Sequence, residues 1–97
     1  MPTEVVIADQ VRDYQRNLAP EPRRRMKAAI LGLADGKGDL RPLEGKLEGL
    51  WRLRVGEHRV VYRHRNGRIQ VFYVAPRNIV YEFLAAHLRE ILPGGQD

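Results

Sequence analysis

The 97-residue chain has no cysteine. Disulfide staples and thiolate metal sites are therefore excluded, and a reducing compartment suits the composition. No apolar run approaches the ~20 residues needed to cross a bilayer. The first ten residues lack a basic stretch followed by a long apolar one, so no secretory signal is visible. The expectation is a cytoplasmic protein with no membrane partner. Histidine is scarce: His58, His64 and His87 are scattered, without the pairing at i and i+4 of common zinc motifs. No metal and no other cofactor is expected. Lysine is scarce too, 3 against 14 arginines, which fits bidentate phosphate recognition or a coding bias equally well. Acidic residues thin out along the chain. Met1–Glu48 carries a net charge of +1 and Gly49–Asp97 one of +4, and between Trp51 and Arg77 seven arginines face a single acid, Glu57. Such a basic region fits a phosphate-bearing partner or a solvated basic face.

What is present suffices for one folded domain over residues 1–97: the hydrophobic fraction is 43%, too high for a disordered tail. Glu4–Ile7 reads as a strand, and Asp9 as the cap of a helix from about Gln10 to Leu18. Ala19-Pro20 ends that helix, and Pro22 takes the first position of a second one. The second helix runs to about Ala34, with Met26, Ala29, Ile30 and Leu33 as its apolar stripe, and is stopped by Gly36 and Gly38. Arg23-Arg24-Arg25 opposes the dipole of its first turn, a misfit that suits either a solvated run or a contact with RNA. Asp39–Gly49 reads as a loop. Three strands follow, at Leu50–Val55, His58–His64 and Arg68–Ala75, joined by a type II′ turn at Gly56-Glu57 and a type I′ turn at Asn66-Gly67. A last helix spans Ile79–Ile91 before Pro93-Gly94-Gly95 and a polar tail. The predicted fold is α+β: a small antiparallel sheet, made of the N-terminal strand and a three-stranded meander, with two N-terminal helices and one C-terminal helix packed on one face.

Two-residue turns set the register. Side chains alternate along a strand, and opposed residues share a face. One face holds Trp51, Leu53, Val55, His58, Val60, Tyr62, His64, Ile69, Val71 and Tyr73, which makes it the core face. The other holds Arg52, Arg54, Arg59, Val61, Arg63, Gln70, Phe72 and Val74. Arg54 and Arg59 are then directly opposed, with Arg52 one pair away, and no acid of the meander is placed to relieve their repulsion. A bound phosphate held by several guanidinium forks relieves it, as does full hydration of an exposed sheet face.

Leu50-Trp51-Arg52-Leu53-Arg54, His58-Arg59-Val60-Val61-Tyr62 and Arg77-Asn78-Ile79-Val80-Tyr81 follow in order, after Pro42-Leu43-Glu44-Gly45. In these motifs the segment Leu43–Leu88 resembles the RelE branch of the RelE/ParE toxin superfamily. The resemblance implies a RelE-like fold and a toxin of a type II toxin–antitoxin system, an endoribonuclease that cuts mRNA in the ribosomal A site and inhibits translation. It also implies a RelB-like antitoxin as partner, in a hetero-oligomer. By resemblance Arg59 is the phosphate-binding catalytic arginine, Arg77 a second one, and Tyr81 the active-site tyrosine, while Arg52 and Arg54 match basic positions usually filled by lysine or arginine; with Arg63, which the register puts on the same face, they form the expected RNA- and phosphate-binding set. Arg52 and Arg54 stand where some relatives have lysines used in proton transfer, and arginine holds its proton more tightly. Arg77 and Tyr81 are also closer in sequence than in some relatives.

The chemistry implied is attack of a 2′-OH on the adjacent phosphorus, giving 2′,3′-cyclic phosphate and 5′-OH ends. Arg59 stabilises the developing charge with Arg52 and Arg54, Tyr81 holds the 2′-OH or stacks on a base, and Arg77 serves the departing 5′-oxygen. The three histidines are read as structural, with His87 the outside candidate for acid–base work. Two other readings stand beside this one: a ParE-like poison of DNA gyrase, and a catalytically inactive module that binds antitoxin.

Overall fold

A computed structural model describes residues 3–94. Glu4–Ile7 forms β1, with Val5 and Ile7 packed against the core, and leads directly into α1 (Asp9–Arg16) and α2 (Pro20–Leu31). After a 3₁₀ turn come β2 (Asp39–Pro42), β3 (Trp51–Val55), β4 (His58–Arg65) and β5 (Arg68–Pro76), then α3 (Val80–Ala86) and α4 (Leu88–Ile91). The strand order is β1-β5-β4-β3-β2. The α+β class stands as expected. The polar tail after Gly94 lies outside the described residues, among which no helix is long and apolar enough to cross a membrane.

The sheet differs from expectation in composition. β1 runs parallel to β5, so the sheet is mixed, and β2 pairs antiparallel with β3 inside the segment read as a loop. Four residues with one half-buried apolar position, Leu40, carry too little alternation to announce a strand. Pro42 is tolerated because it ends an edge strand. Both hairpin turns are as expected: Asn66 and Gly67 have φ of 54° and 74°, and Gly56 has φ of 59°.

Helices cover both faces of the sheet, not one. On the first, Val11, Met26, Ile30 and Leu33 bury Leu53, Val60, Tyr62, Ile69, Val71 and Val74. On the second, Val80 and Leu84 of α3, with Leu47 and Leu50, close over Val61, Phe72, Tyr73 and Ala75. A β-bulge makes this possible. Val61 pairs with Tyr73 and Tyr62 with Val71, which leaves Phe72 without an opposite residue. The extra residue inverts the alternation beyond it. Tyr73, expected inward, therefore turns to the second face and stacks on Phe83 (centroids 6.0 Å apart, planes 5° apart), while Val74 enters the first core. Gln10 extends the β1 edge: its side-chain amide donates to the Val74 carbonyl (2.9 Å) and accepts from the Val74 N–H (3.0 Å), as a strand residue would.

Helix ends were also displaced. Ala8, not Asp9, is the N-cap of α1, and Asp9 sits in the first turn, where its charge suits the dipole. α2 begins at Pro20, which needs no intrahelical N–H there. Arg23 donates to the carbonyls of Arg16 (3.1 Å) and Leu18 (2.9 Å), tying α2 to the end of α1. The last helix is broken at His87 (φ −124°, ψ 27°).

Gly38 has φ of +118°, and a Cβ there would lie 2.8 Å from Leu53 Cδ1, a fully buried side chain with nowhere to retreat. Gly38→Ala is expected to destabilise by about 2–3 kcal/mol, read as a lower urea midpoint at unchanged m-value. Burial pushes the phenols of Tyr14, Tyr62 and Tyr73 above their usual value of 10.0, Tyr73 adding to the rise at Tyr14. The fold thus favours the neutral phenols, whereas the unfolded chain gives up these protons near their ordinary value. This stabilisation is fully present below about pH 10 and is lost as the pH rises through the folded values. The urea midpoint should be flat on approaching about pH 10 and fall above it. Replacing Tyr14 and Tyr73 with phenylalanine should blunt the fall.

Candidate phosphate-binding site

The tight turn at Gly56-Glu57 pairs Val55 with His58, which makes Arg54 and Arg59 direct partners across β3 and β4. The same register continues into β5, where Ala75 pairs with Arg59 and Pro76 with His58. The chain therefore leaves the sheet beside the turn. The Arg77 N–H donates to the Glu57 carbonyl (2.9 Å), and Arg77 Nε lies 3.0 Å from Glu57 Oε1. Arg54, Arg59 and Arg77 thus gather at one end of the sheet, from three elements that the meander holds in fixed register. Arg59 Nη1 donates to the carbonyls of Gly56 (2.8 Å) and His58 (3.0 Å), so its fork is folded back onto the turn with its other nitrogens available.

Relief of the cross-strand repulsion comes from outside the meander. Asp39 of β2 is the strand partner of Arg54, and its Oδ2 lies 3.9 Å from Arg54 Nη1. Its Oδ1 and its carbonyl accept from Arg52 Nη1 at 3.1 and 2.9 Å. Arg52 shares the face of Arg54 but is buried, the only charged or polar residue that is so among the described residues. The expectation that no acid relieves these arginines holds for the meander and fails for the sheet, because β2 was not legible.

Arg63 lies farther along the sheet. Arg63 is four residues along β4 from Arg59, roughly 13 Å at strand rise. Its Nε donates to Gln70 Oε1 (2.7 Å) and its Nη2 to the Pro93 carbonyl (2.5 Å), which fastens the C-terminal segment to the sheet. Tyr81 is half-buried on α3 with its ring against the second core. His58 faces α1 and shares a 2.8 Å hydrogen bond between its Nδ1 and the Tyr14 hydroxyl. His64 sits edge-on to Trp51 and Tyr62. His87 lies on the ring of Phe83 (4.3 Å), 3.2 Å from Glu90. Among the described residues no three His, Asp or Glu side chains converge as a metal site.

The first sheet face carries a separate concavity of about 280 Å³ between α1 and α2, where Arg12, Arg16, Arg23 and Lys27 rim an apolar floor that includes Ile30 and Leu31. The sequence showed the arginines of this groove but not that two helices bring them together.

A sequence profile described as the ParE toxin of the type II toxin–antitoxin system parDE matches residues 7–81. No curated protein matches the chain. Among solved structures, the chain is similar to the archaeal RelE–RelB complex from Pyrococcus horikoshii OT3. Identity is 29% and TM-score 0.64, over 79% of this chain and 97% of that one. The toxin–antitoxin complex RelBE2 from Mycobacterium tuberculosis is 21% identical with TM-score 0.67, over 79% of this chain and 93% of that one. A mutant of the E. coli toxin RelE in the free state is 18% identical with TM-score 0.68, over 95% of this chain and 100% of that one. The last two likenesses speak to the fold alone. The profile spans most of the chain and agrees with the order of elements just described: the chain belongs to the ParE toxin family of type II toxin–antitoxin systems, within the RelE/ParE superfamily.

Proposed function

We propose that this toxin is an endoribonuclease that cuts mRNA in the ribosomal A site, with no metal ion, leaving 2′,3′-cyclic phosphate and 5′-OH ends. The observation that carries the reading is the direct opposition of Arg54 and Arg59, with Arg77 at the same end of the sheet. Arginines paired across neighbouring strands put two positive charges on one patch of the sheet, which the single Asp39 carboxylate offsets only in part and an added anion would stabilise. A scissile phosphate is such an anion, and its negative charge grows as the 2′-oxygen attacks. The 2′-OH gives up its proton to water as the O2′–P bond forms, the P–O5′ bond breaks, and the departing 5′-oxygen takes a proton from water. Arg59 grips the non-bridging oxygens with Arg54 beside it. Arg77 exchanges the Glu57 carboxylate for the neighbourhood of the leaving oxygen, and Tyr81 holds the 2′-OH or stacks on a base. Ribosomal positioning supplies the in-line geometry.

The partner in this reading is a RelB-like antitoxin, as in the archaeal and mycobacterial complexes. The basic groove between α1 and α2 fits an acidic amphipathic helix of that partner. The description of the matching profile as a ParE toxin favours a second reading, a gyrase poison of the same fold.

Inducing the protein without antitoxin, and following labelled methionine and thymidine incorporation in the first minutes, separates the two. An early fall in methionine incorporation, absent in the Arg59→Ala/Arg77→Ala double variant, supports the nuclease. An early fall in thymidine incorporation that survives the double substitution supports the gyrase poison. Undisturbed growth with wild type points to an inactive antitoxin-binding module.

A further inference from the structure

We infer that Asp39 and the buried Arg52 are a positioning pair that aims Arg54 at the phosphate, and that Arg52 itself touches no RNA. The inference deepens the nuclease reading and rests on it. The two arginines are two residues apart on one face of β3 yet differ sharply in setting. The Arg52 side chain is 11% exposed and that of Arg54 55%. Arg52 Nη1 is committed twice to Asp39, at the carbonyl (2.9 Å) and at Oδ1 (3.1 Å). To turn Nη1 to a ligand it would have to break both bonds, and the little of the side chain that is exposed makes it more a strut than a binding arm.

What the strut holds is a carboxylate. With Oδ1 taken by Arg52, Oδ2 of Asp39 is turned towards Arg54, 3.9 Å from Nη1. An exposed arginine near the end of a strand otherwise samples many rotamers, and beside Arg59 it would favour those that swing away. A carboxylate fixed on the β2 side by a buried guanidinium narrows that choice: it holds Arg54 on the side of β3 away from Arg59, so that an anion can lie between the two arginines. Its charge is matched by Arg52, so the group of three retains one positive charge, carried at the exposed end by Arg54. β2 contributes to the site in this way through Asp39.

Single-turnover cleavage of mRNA on programmed ribosomes, with wild type, Asp39→Asn, Arg54→Ala and the double variant, tests this. Arg59→Ala serves as control, and the melting temperature is followed for each protein. Asp39→Asn is expected to slow cleavage roughly 10- to 100-fold, the scale of a misplaced catalytic group. The double variant should be no slower than Arg54→Ala alone, because Asp39 acts through Arg54. Arg52→Lys keeps the buried charge but loses the guanidinium grip, and should reproduce the Asp39→Asn loss. A second readout needs no activity: the Arg54 Nε–H signal of the free toxin should lose order in Asp39→Asn while that of Arg59 keeps it. Cleavage as fast or faster in Asp39→Asn would show that the carboxylate only screens the site, and the inference falls. Additive losses in the double variant, accompanied by lower melting temperatures, would show a purely structural role and overturn it as well. If wild type and Arg59→Ala alike leave mRNA uncut, the nuclease reading fails. The order of Arg54 then still decides whether Asp39 positions it.

Discussion

If the toxin cuts A-site mRNA as proposed, replacing Arg59 with alanine is expected to slow the cleavage by about 100- to 1,000-fold, the usual cost of removing one preorganised donor from a developing oxyanion. Stability should barely change. Among the described residues the Arg59 side chain is bonded only to the nearby carbonyls of Gly56 and His58. Substitutions of this kind typically move stability by no more than about 0.5 kcal/mol. Arg59→Lys gives a sharper result. It keeps the charge and discards the planar fork, so a loss close to that of alanine identifies bidentate grip as the useful property, and a loss of only a fewfold identifies charge. The deficit should fall on the rate of the bound complex more than on its formation, as for an interaction made chiefly in the transition state. An alanine variant within about threefold of wild type, against the expectation for an oxyanion donor, would take the central role away from Arg59.

The part of this site legible in the sequence was the part set by short-range rules. Turn chemistry at Gly56-Glu57 and Asn66-Gly67 fixes two hairpins, and period-two alternation then forces Arg54 and Arg59 together. The family motifs placed Arg77 at the end of the last strand, where it stands. What was not legible depends on long-range packing. β2 carries one half-buried apolar residue and is a strand only because β3 offers it an edge, so Asp39 looked like part of a loop. The bulge at Phe72 is invisible to alternation, which reads through it and misplaces Tyr73 and Val74. The five apolar residues Val71 to Ala75 are in retrospect its signal: an unbroken run means that both faces are covered. Arg63 was grouped with the other arginines by parity alone, yet Gln70 and the Pro93 carbonyl hold it. Facing the same way did not bring it to the same site.

The two cores on opposite faces lead to the second large effect. Leu84→Ala is expected to cost about 2–5 kcal/mol, as other large-to-small changes at fully buried leucines do, and to abolish most activity at temperatures where the sheet is still folded. α3 has seven residues, too few to persist alone, and is held to the sheet chiefly by Val80, Leu84 and the stack of Phe83 on Tyr73. Weakening that grip should release residues 80–92 before the rest of the fold. Tyr81 would lose its footing, and Arg77 would lose the helix that follows it. Met26→Ala offers the comparison. Met26 is equally buried, but in the first core under α2, on the face away from Arg54 and Arg59. Its loss should lower the global unfolding midpoint by a similar amount while the remaining folded molecules cleave normally. Hydrogen exchange should separate the two variants: Leu84→Ala accelerates exchange in α3 and α4 with β4 still protected, and Met26→Ala accelerates both together. If the variants lost activity only in proportion to their unfolded fraction, the second core would be a stabilising layer with no part in shaping the site.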